Sequence, residues 1–493
     1  MHCIRKLSDD LIWIGASEHR AARFENHYPV PEGMSYNSYV LLDEKAVLFD
    51  TADSAVAEIF FENLDQALAG RALDYVVVSH MEPDHAALLF EVANRYPGAT
   101  FVLSAMALNM MKQFFPTDLA GRAKLVKDGD SLSTGRHTLQ FFTAQMVHWP
   151  EVIVTYDAAS QTLFSADAFG SFGALDGRLL SEEVADWGHY WAEARRYYTN
   201  IVGKYGPQVQ ALLKKAATLT IAQVCPLHGV VLRGDSIAQF VAKYDAWSRY
   251  APEENGVLIA YASVYGHTEA AVQILAAQLL ERGIPTTVMD AASLHPSYIL
   301  SEAFRVSHIV LAATTYNNGL FPVMEALAQE IVAHNLQNRT FGIIENGSWA
   351  PVAGKLLREN VQKSARREIR CSGCGNHFEI STLGKKIFHC TNRHCGKLFC
   401  AKCNKAMTGK DVDVSEETHA GYLCPYCYLE ASIHRVVQNL LPDYYRRMLD
   451  SFYESISREV QEDSGFNYEG GFNDDDIRRA FAHVVAKQFD VET

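Results

Sequence analysis

The sequence has no apolar run approaching the ~20 residues of a membrane-crossing helix, so no helical membrane span is expected. It also has no excess of basic charge. Its 44 Lys and Arg stand against 58 Asp and Glu, a net charge of −14. A chain of that balance is not expected to bind nucleic acid or an anionic membrane without specificity. Cysteine is nearly missing from the first 370 residues, where only Cys3 and Cys225 occur. The opening Met1-His2-Cys3-Ile4-Arg5-Lys6 leads into a strand-like segment and no secretory h-region is evident, so a reducing, cytoplasmic setting is expected. At 493 residues the chain exceeds what one core can hold, and about three domains are expected.

The most concentrated chemistry is His80-Met81-Glu82-Pro83-Asp84-His85, which sets four potential metal ligands just after the apolar run Tyr75-Val76-Val77-Val78-Ser79. A strand buried on both faces fixes the backbone, and the loop at its C-terminal end can aim several side chains at one point. Further candidates follow later apolar runs: His148 in Val147-His148-Trp149-Pro150-Glu151, Asp167 in Phe164-Ser165-Ala166-Asp167, and His228 in Pro226-Leu227-His228-Gly229. Imidazole and carboxylate without thiolate is a donor set for non-haem iron, manganese or zinc. Four histidines and three carboxylates suffice for two metals sharing one carboxylate.

A second pattern begins after Pro252-Glu253-Glu254-Asn255, read as a polar link. The buried strand Gly256–Tyr261 runs into Ser263-Val264-Tyr265-Gly266-His267-Thr268, and then into a helix from Glu269 to Arg282. Backbone N–H groups, hydroxyls and a helix N-terminus converge there on an anion. The loop does not end in Lys, which excludes a nucleoside-triphosphate P-loop. Two more strands lead to the loops Thr314-Thr315-Tyr316-Asn317-Asn318-Gly319 and Asn346-Gly347-Ser348-Trp349. In a doubly wound sheet all three loops lie at the C-terminal strand edge, where ligands bind. Tyr316 and Trp349 are placed to pack on a flavin ring, and the hydroxyls suit the phosphate of FMN.

The ordered set His-x-Glu-x-Asp-His, His, Asp, His resembles the metallo-β-lactamase-like fold, whose hydrolases usually carry His at the second motif position and bind zinc. Here Glu82 stands in that position, a harder oxygen donor that favours iron. With Glu there, the set resembles the flavodiiron proteins, as do Met34-Ser35-Tyr36-Asn37-Ser38-Tyr39, His148-Trp149-Pro150-Glu151 and Glu193-Ala194-Arg195-Arg196-Tyr197-Tyr198. The resemblance implies an α/β multidomain chain: a metallo-β-lactamase-like αββα sandwich over residues 1–251, then a flavodoxin-like FMN module over 255–366. It implies one iron held by His80, Glu82 and His148, and a second by Asp84, His85 and His228, with Asp167 bridging. The ring of His85 is not always metal-bound in that family. Its flavodoxin module ends in one more strand and helix than this chain shows before its cysteines begin, and residues after 368 are expected to cover the edge thus exposed.

Eight cysteines form four close pairs: Cys371 with Cys374, Cys390 with Cys395, Cys400 with Cys403, and Cys424 with Cys427. Such pairs deliver two thiolates each to one ion, so two closed zinc sites are expected in a module over residues 368–430, followed by a helical acidic tail over 431–493. The outer pairs resemble the halves of a rubredoxin iron site, but the four cysteines between them have no use in one. What the resemblance implies for activity is reduction of O2 to water, of NO to N2O, or of both. FMN would relay electrons from an external donor, either a rubredoxin-like protein or an NAD(P)H-linked reductase. It also implies a head-to-tail homodimer or a dimer of dimers. The alternative is a dinuclear metal hydrolase of the same fold. Glu82 and the flavin loops weigh against it.

Overall fold

Apolar runs too short for helices build two sheets from the first half of the chain. In spatial order, the first sheet contains Arg5–Lys6, Leu11–Trp13, Tyr39–Leu42, Ala46–Phe49, Tyr75–Val77, Thr100–Leu103 and Ala123–Leu125. The second contains Ser131–Ser133, Thr138–Thr143, Ile153–Asp157, Thr162–Phe164, Gln223–Cys225 and Leu232–Arg233. Parallel pairing joins Ala46–Phe49, Tyr75–Val77 and Thr100–Leu103, whose near-continuous burial matches their uninterrupted apolar sequence. Leu41, Val47, Phe49, Val77 and Val102 meet Leu139, Phe141, Ile153, Phe164 and Cys225 in one core between the sheets. At its centre Phe49 and Phe164 stack with ring centroids 3.7 Å apart; truncating either to Ala costs about 3–5 kcal/mol. The helix Ala57–Leu68 packs on the first sheet and Asp235–Ser248 on the second, giving the expected αββα layers.

The flavodoxin-like module is a parallel sheet in the order Thr286–Asp290, Glu254–Ala262, Val306–Tyr316, Thr340–Asn346, interleaved with the helices His267–Glu281, Pro296–Arg305 and Pro322–Ala333. Two details differ from the sequence reading. The segment read as a polar link is pinned: the Glu253 carboxylate accepts from Trp247 Nε1 at 2.8 Å and Arg195 Nη1 at 3.1 Å, and the first strand already starts at Glu254. Thr314, Thr315 and Tyr316 belong to a strand that continues past the expected loop. It turns back at Asn317 and Asn318, whose φ angles of 51° and 57° suit a two-residue hairpin, into Gly319–Leu320. Among the described residues Thr340–Asn346 pairs on one side only, and none of its seven residues is buried.

The computed structural model describes residues 2–116 and 118–364, and beyond them only the strands Arg367–Arg370, His377–Ile380, Ile387–His389 and Leu398–Cys400. Residues 1–357 form one compact unit and 358–493 a second. Within the second, the four strands pair antiparallel as two hairpins. Cys371, Cys374, Cys390, Cys395, Cys403, Cys424 and Cys427 lie outside the described residues, as does the expected tail. Cys400 is described only as the end of its strand.

A polar clamp ties the two sheets at one rim. The Asp43 carboxylate accepts from the Thr134 hydroxyl and the His137 N–H, both at 2.9 Å, while the His137 ring bridges Asp157 at 2.7 Å and Asp10 at 2.9 Å. Burial alone would raise the Asp43 pKa, but these hydrogen bonds outweigh it and hold the carboxyl at about 2. A depressed carboxylate pKa stabilises the fold above the ordinary range and loses that stabilisation as pH falls through the folded value. Asp43→Asn is therefore expected to cost about 1–2 kcal/mol at neutral pH, allowing for solvent screening. Urea midpoints of the two proteins should converge on acidification toward that folded value; a gap independent of pH would contradict the clamp.

Candidate metal centre

Two anchors shape the loop after Tyr75–Val77. Asp50 Oδ1 accepts from the backbone N–H of Ser79 at 2.7 Å and His80 at 3.3 Å. Burial nonetheless pushes the Asp50 carboxyl up to about 6. Glu151 Oε1 takes the Met81 N–H at 2.9 Å and lies 2.7 Å from His80 Nδ1, so His80 turns its Nε2 inward. Asp84 and His85 then sit on a single helical turn, Pro83–Ala86, which starts at Glu82 with Pro at its first position, where a missing N–H costs nothing. His228 is held from the other side. Its Nδ1 donates to Ser35 O at 2.6 Å, and Asn37 Nδ2 ties down the carbonyls of Pro226 and Gly229.

All seven candidates from the sequence are buried and fall into two groups whose donor atoms lie within 4.8 Å of one another: His80, Glu82, His148 and Asp167, and Asp84, His85 and His228. Asp167 spans both. Its Oδ2 lies 3.0 Å from His148 Nε2, and its Oδ1 lies 3.1 Å from His85 Nε2. Nitrogen faces nitrogen across each group, His80 Nε2 to His148 Nε2 at 3.3 Å and His85 Nε2 to His228 Nε2 at 3.0 Å. Asp84 Oδ2 is 3.2 Å from both His85 and His228 Nε2, yet neither Asp84 oxygen makes a hydrogen bond. Buried polar atoms are ordinarily paired, so unpartnered carboxylate oxygens among converging imidazoles fit metal ligation. His85 has its Nε2 directed into this cluster.

Burial alone would lower the imidazole pKa values, but the carboxylates outweigh it. Asp84 and Asp167 raise His85, and Asp167 and Glu82 raise His148, each to about 9, while Glu151 and Glu82 hold His80 well above its ordinary value. Reciprocally, Glu82 and Asp167 are held below the ordinary carboxylate range despite burial.

Several participants escaped the sequence reading. Glu25 abuts Glu82, and burial together with that carboxylate pushes it up to about 8. Phe24, Tyr36 and Tyr197 wall the His228 ring at centroid distances of 5.4, 5.8 and 5.5 Å. The Tyr197 hydroxyl is buried without a hydrogen bond, and burial raises it well above its ordinary pKa. Tyr36, Glu151 and Tyr197 lie in segments that carry the family resemblance, whereas Phe24 and Glu25 carry no such signal.

The expected flavin residues gather at the C-terminal edge of the parallel sheet. Ser263 Oγ accepts from the Gly266 N–H at 3.0 Å, and Gly266, at φ 85°, opens the helix that begins at His267. Asn346 Nδ2 donates to the Thr268 hydroxyl at 3.3 Å, and the Thr314 hydroxyl donates to Asn346 O at 3.2 Å. Thr315 Oγ1 accepts from Val352 N at 2.9 Å, holding the segment that follows Gly347 and Ser348. Tyr265, Trp349 and Tyr316 stand 89%, 67% and 44% exposed, with Val264 beside them at 41%. Large exposed aromatics at one ligand-binding edge call for a partner surface.

The family description "ODP family beta lactamase" matches residues 34–229. Among solved structures, the rubredoxin oxygen:oxidoreductase from Desulfovibrio gigas superposes with a TM-score of 0.69 at 27% identity, covering 74% of this chain and 90% of that one. The flavodiiron protein from Giardia intestinalis gives 0.68 at 26%, covering 71% and 84%. The curated rubredoxin-oxygen oxidoreductase of Megalodesulfovibrio gigas is 30% identical over 359 residues, 72% of this chain and 88% of that protein. The chain belongs to the flavodiiron protein family. A second relative within the family's reach, the anaerobic nitric oxide reductase flavorubredoxin of Aeromonas hydrophila, is 29% identical over 357 residues, 70% of each chain.

Because His80, His85 and His148 are held protonated in the metal-free chain, an entering divalent ion must displace those protons. Affinity measured against a competing chelator should climb from about pH 6 to pH 9 rather than level off near the ordinary imidazole pKa of about 6.5. A flat profile would contradict the cluster. Asp84→Asn removes a carboxylate that faces His85 and His228, so it should lower the number of ions bound. By taking away a stabiliser of the His85 imidazolium, it should also lower the melting temperature of the metal-free chain at neutral pH; an unchanged ion count would contradict its role as a ligand.

Proposed function

We propose that this chain is an oxidoreductase that reduces O2 to water, NO to N2O, or both, at a dinuclear iron centre supplied with electrons by FMN. The observation that carries the reading is Asp167, whose two carboxylate oxygens each face one three-residue cluster. In this reading His80, Glu82 and His148 hold one iron, Asp84, His85 and His228 hold the other, and Asp167 bridges them. The substrate class is supported by the relatives, an oxygen oxidoreductase and a nitric oxide reductase.

Iron held there would supply two electrons to a small diatomic molecule, and FMN held by the second module would supply two more. The chain's own residues do the rest. Glu151 and the Ser35 carbonyl fix the ring orientations of His80 and His228, so the ligand atoms need no rearrangement. The three carboxylates, Glu82, Asp84 and Asp167, would supply negative charge that four neutral imidazoles alone cannot, and would favour iron of higher charge. Glu25 stands beside Glu82 in the lining of the same cavity, and partial desolvation together with that carboxylate raises its pKa. Phe24, Tyr36 and Tyr197 exclude water around His228. In the flavin module Ser263, Gly266, Thr268, Thr314, Thr315, Asn317, Asn318, Gly319, Asn346, Gly347 and Ser348 would receive the phosphate and polar edges of FMN. Val264, Tyr265, Tyr316 and Trp349 would cover its ring, with His267 at the helix start.

We further infer that electrons enter from a rubredoxin-like protein or a nicotinamide-linked reductase in the cytoplasm, and that the working unit is a head-to-tail dimer or a dimer of dimers. The eight C-terminal cysteines are inferred to hold two zinc ions. Domain limits of 1–251, 255–366, 368–430 and 431–493 belong to the same proposal.

Metal and flavin analysis of the purified chain should return two irons, one FMN and two zincs per chain. Anaerobic stopped-flow mixing of the reduced protein with each gas should reoxidise the flavin within single turnovers. Asp167→Ala should abolish that reoxidation, a loss of at least about a thousandfold, while leaving FMN bound. An iron-loaded, flavin-loaded chain inert to both gases would refute the assignment.

A further inference from the structure

We propose that Phe24 determines which small molecules reach the Asp84–His85–His228 side of the centre. The inference rests on the reading of those three residues as metal ligands. A cavity of about 750 Å³ opens onto the centre, with Glu82 and Asp84 on its floor and Arg23, Phe24, Glu25 and Tyr36 in its wall. A molecule the size of water takes up roughly 30 Å³, so the cavity itself discriminates little between small ligands. Selection must come where the cavity meets the ligand atoms. There the wall has two faces: an acid, Glu25, against Glu82, and an apolar ring, Phe24, against His228.

Phe24 is only 4% exposed and its ring stands edge-on to His228 at 5.4 Å and to Phe172 at 5.9 Å. It is not free to swing aside. Phe24 pairs with Tyr28 across a tight hairpin whose turn residues, Glu25 and Asn26, adopt φ of 50° and 52°. Left-handed backbone at both central residues closes such a turn tightly, and contacts around it keep the turn from shifting. Those contacts are present. The Tyr28 hydroxyl donates to Asn200 O at 3.2 Å, the His27 N–H donates to Phe24 O at 3.0 Å, and the His27 ring meets His295 of the flavodoxin-like module at 5.1 Å. Behind Phe24, Phe172 carries the Arg196 guanidinium at 4.3 Å from its ring. A ring braced on this many sides is a fixed limit on the space beside His228. Removing it leaves an apolar void that relaxes only partly and that an apolar group can fill.

The test uses the full chain with Phe24→Ala and with Phe24→Leu, which keeps much of the volume. Iron content is measured first. The oxidised, iron-loaded proteins are then titrated with formate and with benzoate, two carboxylates differing in bulk, and ligand uptake is followed by visible absorbance. Formate should bind all three chains within about threefold, whereas benzoate should bind Phe24→Ala about tenfold or more tighter than wild type, with Phe24→Leu between. Wild type that takes up no iron would sink the reading of the centre and this inference with it. Iron-loaded chains with equal benzoate affinity would sink the Phe24 inference alone. Loss of iron in Phe24→Ala but not in Phe24→Leu would also overturn it, by making Phe24 a support for His228 instead of a limit on access.

Discussion

Everything in the first compact unit answers to one electrostatic constraint: three carboxylates and four imidazoles share a buried volume around Asp167. Bringing such groups together without cations between them is costly, since unpaired buried charge and unpartnered lone pairs each cost several kcal/mol. In the metal-free chain protons do part of the work of cations, which is why His80, His85 and His148 are raised while Glu82 and Asp167 are lowered. The surrounding scaffold must hold the ligands against that repulsion. Ala166 and Phe169, on either side of Asp167, carry φ of 51° and 69°, and Asp50, which positions the Ser79–His80 backbone, carries 55°. Strain of this kind survives only in a rigid surround, here the aromatic and aliphatic core between the two sheets.

The second shell follows from the first. Two of the inward-facing rings have their Nδ1 committed elsewhere, His80 to Glu151 and His228 to the Ser35 carbonyl, whereas the His85 Nδ1 is buried without a hydrogen bond. Ser35 contributes twice, since its hydroxyl also accepts the Gly229 N–H at 2.8 Å. The segment Met34–Asn37 is thereby bound to the His228 loop. Its strand, Met34–Tyr36, is only three residues long and pairs with Ala16–Glu18, so its function is to present backbone groups.

Legibility divides along these lines. The seven ligand-type residues could be read in order because each lies in the loop or turn that follows an apolar strand, where a polar side chain stands out against its neighbours. The sandwich and the parallel sheet could be read for the same reason, from runs such as Tyr75–Val77 and Val306–Tyr316. Phe24 and Glu25 could not. They occupy a two-residue strand and its turn, where no hydrophobic period exists, and they reach the centre only through tertiary packing. The Thr314–Gly319 stretch forms a hairpin where the sequence suggests a loop, because Thr and Tyr fit either state and only the Asn317-Asn318 turn decides between them.

The two modules of the first unit are joined by charge instead of by a flexible tether. Arg196 is fully buried, bonded to Glu193 at 2.7 Å and Ser297 at 3.3 Å, with its guanidinium between the Phe172 and Tyr298 rings. Arg195 reaches Ser301 and Glu253, while Arg339 donates to the carbonyls of Ala303 and Tyr250 and is lowered by burial to about 9. Arginine forks fixed this way lose little further entropy and hold orientation as well as distance. The aromatic edge at Tyr265, Tyr316 and Trp349 therefore keeps a fixed position relative to His80 and His228 once the chain has folded. Since electrons tunnel across distances the protein must supply in advance, a junction that does not swing would leave the spacing between a bound flavin and a bound metal to be set by the proposed head-to-tail assembly, not by domain motion. Closing that spacing by motion would require breaking buried arginine contacts, each costing a few kcal/mol.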